Sequence, residues 1–223
     1  MKYALALLAA AGCSSKHPSA PTTKVEAVPP DRMCVTHGAV QGSLVTDPEV
    51  RAVSTTSGGD AASLTFKMHD WPTATKALRS GDVRHQLGLK LRAADSCNLV
   101  YVMWRLDPPK PGIVVQVKNN PGDANNAQCG ISGYTRVKPE HRGRIPYAAP
   151  GEQHTLQAEI HGDALTAWVD GAVAWTGELP AMARDLKGPA GIRSDNVSYE
   201  IVTFAAPAGH GQIPCKAQQQ ATR

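Results

Sequence analysis

Three side chains of this sequence are of the types that bind sugars: an aromatic ring, a guanidinium and an amide. Trp168 lies in an alternating segment, so its ring is expected on the face opposite Leu165. Arg105 and Gln116 lie in two neighbouring apolar segments that we expect to pair. Sugar CH groups stack on aromatic rings, and sugar hydroxyls bond planar polar groups. The alternative is structural: Trp168 fills a gap beneath the loop at 138–151.

Other patterns that would indicate catalysis or a metal are missing from the sequence. There is no G-x-S-x-G motif of the kind that presents a nucleophilic serine. The histidines, including His141, His154 and His161, are scattered without metal-ligand spacing. No C-x-x-C or Cys/His pair supports a zinc site. The formal charge of +4 is too small and too scattered to indicate nucleic acid binding, so we predict no nucleic acid partner.

Short alternating segments joined by turn residues must position these side chains. Residues 154–178 alternate apolar and polar positions and turn at Gly162-Asp163 and at Asp170-Gly171, which predicts a three-stranded antiparallel meander. Residues 62–68, 85–92 and 113–118 also alternate, whereas 96–106 is nearly all apolar and is predicted to be a central strand buried on both faces. These patterns predict an all-β fold, a two-sheet antiparallel jelly-roll sandwich.

The order of these segments resembles the concanavalin A-like lectin and glucanase jelly rolls. The resemblance rests on S-C-N-L-V-Y-V-M-W-R (96–105), I-V-V-Q-V-K-N-N (113–120), the 151–171 segment with its G-D and V-D-G turns, and G-P-A-G-I-R-S-D-N (188–196). It covers about residues 62–204 and is nearest to 3-keto-disaccharide hydrolase domains and laminin-G-like domains. Gln153-His154 stands where the former commonly have Trp-Asn.

The resemblance implies a glycan or partner site on the concave sheet, with Arg105 and Gln116 near Trp168. It also implies a calcium site, as in laminin-G-like domains, with Asp195 and Asn196 as oxygen ligands. The alternative is a turn held by these side chains, with Arg193 paired to Asp195. Apart from this possible calcium ion, we expect no cofactor.

Three functions remain open at this stage. The first is a non-enzymatic envelope protein that binds a glycan or an envelope partner, the second is glycoside hydrolysis of the 3-keto-disaccharide type, and the third is a purely structural envelope component. The clustered carboxylates E-x-D-x-x-E of related glucanases are missing here, which favours binding over catalysis.

The N-terminus resembles a bacterial lipoprotein signal. One basic residue precedes a short apolar run, and small residues precede Cys13, the predicted lipidation site, although Ala10 stands where that signal usually has Leu. The alternative is an ordinary secretory signal cleaved near Cys13. Because Ser14 rather than Asp follows the cysteine, we expect an outer-membrane address in the cell envelope. The predicted organisation is signal at 1–13, flexible Pro/Ser/Ala-rich tether at 14–33, β-sandwich at 34–216 and frayed tail at 217–223.

The four remaining cysteines predict two disulfides in an exported protein. Cys97 and Cys129 should lie at the same end of one hairpin, and Cys34 and Cys215 bracket the domain. We therefore predict Cys97–Cys129 and Cys34–Cys215. The second would restrict the unfolded chain by roughly 4–5 kcal/mol, less any strain.

Overall fold

The alternating segments of the sequence fold into strands. A computed structural model describes residues 20–72, 74–107, 111–209 and Cys215. In this described part the strands are β1 (Glu26–Ala27), β2 (Met33–His37), β3 (Leu44–Val45), β4 (Glu49–Ser54), β5 (Ala61–Met68), β6 (Gln86–Leu91), β7 (Leu99–Arg105), β8 (Gly112–Lys118), β9 (Tyr134–Arg136), β10 (His141–Arg142), β11 (Gln153–His161), β12 (Ala164–Val169), β13 (Ala172–Glu178), β14 (Gly191–Asp195) and β15 (Tyr199–Ala206). The one described α-helix, α1 (Asn126–Cys129), and the 3-10 turns Pro30–Arg32 and Ala181–Ala183 are short.

These strands form two antiparallel sheets, as predicted. The front sheet has the order β2-β4-β14-β6-β7-β8-β9, and the back sheet has the order β1-β15-β5-β11-β12-β13-β10, with β3 also on β15. Apolar side chains from both sheets meet in one core, where Phe66 of β5 packs edge-on against Trp104 of β7 with ring centroids 5.7 Å apart. Burying each such large side chain contributes about 1.5–3 kcal/mol. The predicted two-sheet sandwich is confirmed.

The predicted meander is β11, β12 and β13 of the back sheet. Asp170 and Gly171, between β12 and β13, both have positive φ (50° and 80°), the backbone that a tight hairpin turn with the twist of the strands requires. Asp170 also accepts a hydrogen bond from the Thr155 amide at 2.7 Å, so the turn is tied to the neighbouring strand β11.

The apolar strand β7 is buried on both faces, as predicted. Its core side packs in the sandwich, and on its other side Leu99, Tyr101 and Met103 form a second apolar cluster with Ala93. The centre of the outer face of the front sheet is therefore apolar.

The predicted tether at 14–33 is wrong from residue 20 onward. Strand β1 pairs with β15, and the amides of Thr22 and Thr23 donate to the carboxylate of Glu159 at 3.1 and 2.9 Å. Glu159 is only 1% exposed, so it needs donors, and this Thr-containing segment supplies them. The segment from residue 20 onward therefore packs on the domain, although its composition is typical of linkers.

Both predicted disulfides are present. Cys97 and Cys129 have Cα atoms 5.9 Å apart, and Cys34 and Cys215 have Cα atoms 5.4 Å apart. The signal at 1–13, the lipidation site Cys13 and the tail at 217–223 lie outside the described residues. Within the described ranges, no helix is both long and apolar enough to cross a membrane.

Candidate functional site on the front sheet

The outer face of the front sheet is built by residues that alternate with the core. In β6 the leucines at 87, 89 and 91 fill the core, so Gln86, Gly88 and Lys90 face outward. The cross-strand register then arranges the outward residues of neighbouring strands in rows. The rows are Val53, Gly191, Lys90, Tyr101, Gln116 and Arg136; Arg51, Arg193, Gly88, Met103 and Val114; Glu49, Asp195, Gln86, Arg105 and Gly112; and Leu99, Lys118 and Tyr134. We call this surface the polar face.

Two tyrosines form the aromatic part of the polar face. Tyr101 and Tyr134 stack with ring centroids 6.2 Å apart and an interplanar angle of 17°. The Arg193 guanidinium carbon lies 4.8 Å from the centre of the Tyr101 ring, and the Lys118 ammonium lies 5.0 Å from that of Tyr134. Tyr101 is buried, whereas Tyr134 is 37% exposed, so Tyr134 is the ring that solvent or a ligand can reach.

A buried carboxylate organises the cationic part of the polar face. Asp195 is fully buried and accepts from Arg51 at 2.6 Å, from Arg193 at 3.0 Å and from the Gln86 amide at 2.6 Å. Burial alone would raise the pKa of Asp195, but the two guanidinium groups and the amide hydrogen bond lower it below its ordinary value. Asp195 is therefore ionised, and its carboxylate holds the guanidinium groups of Arg51 and Arg193 in place.

Lys90 is the exception to this pairing. It is 4% exposed, lies between Gly191 and Tyr101 in its row, and makes no hydrogen bond or ion pair within the part of the chain that the structure describes. Its pKa is lowered to about 7, chiefly by burial and also by the charges of Arg51 and Arg193, while the charge of Asp95 acts in the opposite direction. The side chain is buried, but its nitrogen borders solvent, because it is not among the described atoms that are closed off without a partner. Placing this amine beside two guanidinium groups, with its stem buried, is costly to the fold.

Lys118 shows how this fold satisfies a buried amine elsewhere. Its ammonium donates to the carbonyl oxygens of Ser96 at 3.2 Å and Gly130 at 3.1 Å, and to the side-chain oxygen of Asn126 at 3.4 Å. These acceptors come from the two segments that the Cys97–Cys129 disulfide joins. Lys118 is therefore a structural cation, whereas Lys90 has no such cage.

The structure brings two of the three predicted sugar-binding side chains onto one face. Arg105 and Gln116 both belong to the polar face, on the paired strands β7 and β8. Arg105 lies opposite Gly112, four positions along β8 from Gln116, a separation of roughly 13 Å. Burial lowers the pKa of Arg105, and Arg84 and Arg136 lower it further, while its Nε has no described partner.

The predicted placement of Trp168 beside them is wrong. Trp168 lies on β12 of the back sheet, opposite Gln157 and Val173, and is 1% exposed. Its ring does point away from the side of Leu165, as the alternation predicted, because Leu165 belongs to the core cluster and Trp168 does not. β12 pairs with β11 and β13 rather than with β7, so Trp168 is a buried residue of the other sheet.

The predicted calcium ligands are engaged by protein groups. The carboxylate of Asp195 is bound by the two arginines described above, which is the pairing that the alternative interpretation named. Asn196 accepts from the Lys76 amide at 2.7 Å and donates to the carbonyls of Lys76 and Arg84. Among the described residues no cluster of acidic, His or Cys side chains could hold a metal ion. A calcium site at Asp195 and Asn196 stays a prediction, and the contacts of these two side chains do not favour it.

Two recesses lie outside the rows of the polar face. One of about 510 Å³ is lined by Gly58, Arg92, Arg184 and Lys187, among others. Its two arginines are already paired, Arg92 with Asp60 and Arg184 with Asp163. The other, of about 370 Å³, is lined by Pro48, His69 and Trp71, among others. Neither contains a buried, unpartnered charge, so the polar face remains the stronger candidate site.

Tyr101, Lys90 and Tyr134 belong to the polar face but were not among the predicted site residues. The alternation of the sequence indicates the orientation of the first two. Tyr101 has the same strand parity as Arg105, so placing Arg105 outward also places Tyr101 outward. Lys90 alternates with the leucines of β6 in the same way. Tyr134 required the pairing of β9 with β8, which no local pattern indicates.

Comparisons with known proteins agree on the fold. No protein-family model and no curated protein matches this chain. Among solved structures it is similar to the carbohydrate-binding module CBM66 from Bacillus subtilis, with TM-score 0.52 and 12% identity over 79% of this chain and 93% of that chain. A tetrameric galectin from Cinachyrella sp. has TM-score 0.45 and 13% identity over 74% and 99% of the two chains. The Crh5 transglycosylase has TM-score 0.48 and 15% identity over 86% of each. At such identities the likeness to CBM66 shows a shared fold, and the two weaker likenesses carry no further conclusion.

Proposed function

We propose that this protein binds a glycan on its polar face while a lipid on Cys13 anchors it in the bacterial envelope. The observation that carries the binding proposal is the exposed ring of Tyr134, stacked on Tyr101 and next to Gln116 and Arg136. An aromatic ring beside planar donors and acceptors matches the alternating apolar and hydroxyl surfaces of a sugar. The shared fold with a carbohydrate-binding module supports this proposal as analogy.

Hydrolysis of the 3-keto-disaccharide type is the alternative, and the ionisation of the carboxylates disfavours it. Glu49 and Asp195 are adjacent in register on the polar face. A glycosidase needs one carboxyl with a raised pKa to act as the acid. Burial would raise the pKa of Glu49, but Lys76, Arg51 and His37 lower it, and the pKa of Asp195 is lowered too. Neither carboxyl is therefore suited to donate a proton at neutral pH.

Replacing Tyr134 with alanine should weaken glycan binding about tenfold, because the exposed stacking surface is lost. The measurement is isothermal titration with oligosaccharides that the wild-type protein selects from a glycan array. Tyr147→Ala is the matched control, since Tyr147 is also exposed but lies between β10 and β11 of the back sheet. Equal binding by the two variants would contradict the polar face as the site. An array without any bound glycan would favour the structural alternative, and release of reducing sugar would favour the hydrolase.

Replacing Cys13 with alanine should move the protein from the membrane fraction to the soluble fraction. Lipid chains on this cysteine are the proposed anchor, and more than one chain is needed for stable attachment. Cell fractionation followed by immunoblotting measures the distribution, and Cys97→Ala is a control for loss of a cysteine in general. A Cys13→Ala variant that stays in the membrane would contradict the lipoprotein proposal, and separation of inner and outer membranes tests the outer-membrane address.

A further inference from the structure

We infer that the glycan bound by the polar face is acidic, and that one of its carboxylate, sulfate or phosphate groups binds at Lys90. This inference rests on the proposed glycan-binding function and adds the chemical class of the ligand. It starts from an imbalance on the polar face. Of the residues in its rows, Arg51, Lys90, Arg105, Lys118, Arg136 and Arg193 are basic, whereas Glu49 and Asp195 are acidic.

The protein neutralises only part of this positive charge. Asp195 holds Arg51 and Arg193, and backbone carbonyls hold Lys118. Lys90 is nine-tenths buried and has no acceptor among the described residues. Its nitrogen borders solvent and can therefore be reached by a ligand, and an anionic ligand would supply the acceptor that the described residues do not.

The surroundings of Lys90 favour an anion over a neutral hydroxyl. The charged and titratable groups that act on it come from β4, β14, β7 and the turn after β6: Arg51, Arg193, Tyr101 and Asp95. Two of these are cations, and burial raises the pKa of Tyr101, so its phenol is neutral at physiological pH. Asp195 supplies one negative charge for Arg51 and Arg193, so with Lys90 this group keeps a net positive charge. An anion at Lys90 would interact favourably with that charge, whereas a sugar hydroxyl would leave the repulsion in place.

The position of Lys90 connects it to the aromatic site. Lys90, Tyr101, Gln116 and Arg136 are consecutive in one row across the sheet, and Tyr134 lies on the same strand as Arg136. Strands are about 4.8 Å apart, so the backbones of Lys90 and Arg136, at the two ends of this row, are roughly 14 Å apart. A short oligosaccharide can stack on Tyr134 and place an acidic group at Lys90. This joint geometry favours a charged sugar over a polyanion without sugar rings.

The charge of Lys90 makes a specific dependence on pH part of the inference. Its pKa is about 7 in the free protein, and a bound anion stabilises the protonated amine. Binding therefore takes up a proton when the pH is above this pKa. The affinity should be highest below pH 7 and should fall up to tenfold for each pH unit above it, until the pKa of the bound state is reached.

The test compares neutral, carboxylated, sulfated and phosphorylated forms of one oligosaccharide backbone with inorganic polyphosphate, by titration of the mature full-length protein at pH 6 and pH 8.5. We expect at least one acidic form to bind at least tenfold more tightly than the neutral form at pH 6. Lys90→Met should abolish this advantage and its dependence on pH. Lys187→Met, which removes an exposed lysine outside the polar face, should retain both.

The outcomes of this test distinguish a failure of the acidic-ligand inference from a failure of glycan binding itself. Equal binding of neutral and acidic forms, lost in Tyr134→Ala, would overturn the acidic ligand and leave glycan binding intact. Polyphosphate binding as tightly as the acidic sugars would overturn sugar recognition. An acidic advantage that survives Lys90→Met would overturn the assignment to Lys90. The arm that binds best identifies the acidic group as carboxylate, sulfate or phosphate.

Discussion

Replacing Asp195 with alanine should lower the free energy of unfolding by about 3–5 kcal/mol. The variant leaves the half-buried guanidinium groups of Arg51 and Arg193 beside each other without the carboxylate that joins them. Removing one partner of a buried ion pair costs far more than the pair contributes, because the remaining charge is desolvated and uncompensated. Asp195→Asn should cost nearly as much, since the amide keeps the shape and loses the charge. Chemical denaturation at pH 7 measures these differences.

Asp163→Ala is the matched control for this prediction. Asp163 also binds an arginine, Arg184, but that arginine is exposed, with 62% of its side chain accessible, and water screens such a pair so that it contributes little to stability. The effect of Asp195 should also depend on pH. Its folded pKa is lowered, so its contribution is present above its unfolded pKa and is lost as the pH falls through the folded pKa. Equal destabilisation by the two alanine variants would contradict the anchoring role of Asp195.

Local patterns were sufficient for the central strands, the meander and the Cys97–Cys129 disulfide, because each depends on near neighbours or on strand parity. The Cys34–Cys215 disulfide joins residues 181 positions apart and was predicted instead from the two cysteines that bracket the domain. The parity of β7 and β8 correctly placed Arg105 and Gln116 on one face. The same rule extends to Tyr101 and Lys90, which were overlooked because β7 is so apolar and β6 reads as a simple alternating strand. The information on the polar face was therefore partly present in the sequence.

Long-range packing decided what the sequence could not predict. Trp168 is assigned to the back sheet by the pairing of β11 with β5, a contact between segments about ninety residues apart. Asp195 was considered a calcium ligand because nothing in its own segment shows that Arg51 comes to it from β4. The segment at residues 20–33 has the composition of a linker, and the buried carboxylate of Glu159 fixes it to the domain.

Replacing Lys90 with methionine should raise the free energy of unfolding at pH 6 by up to about 5 kcal/mol. The pKa of this amine falls from 10.5 to about 7 on folding, and each unit of difference corresponds to about 1.4 kcal/mol against the charged form. Methionine has similar length and no charge, so the variant avoids that cost and adds apolar contact next to Met103 and Tyr101. Denaturation curves of the wild type and the variant give the difference directly.

The pH dependence of this difference identifies its cause. Between the folded pKa of about 7 and the unfolded value of 10.5, the unfolded chain binds the extra proton, so the wild type becomes more stable as the pH rises. The advantage of Lys90→Met should therefore be constant below pH 7, shrink above it and vanish near pH 10.5. Lys187→Met should show no such advantage at any pH.

A ligand that binds at Lys90 should raise the unfolding temperature of the wild type and leave that of Lys90→Met unchanged, because the stabilised variant has lost the charge that binds the anion. A residue that destabilises the free protein and binds the ligand is expected at a functional site, where stability and activity oppose each other. Equal stability of the wild type and Lys90→Met at pH 6 would instead show that the amine is solvated, and the acidic-ligand inference would lose its physical basis.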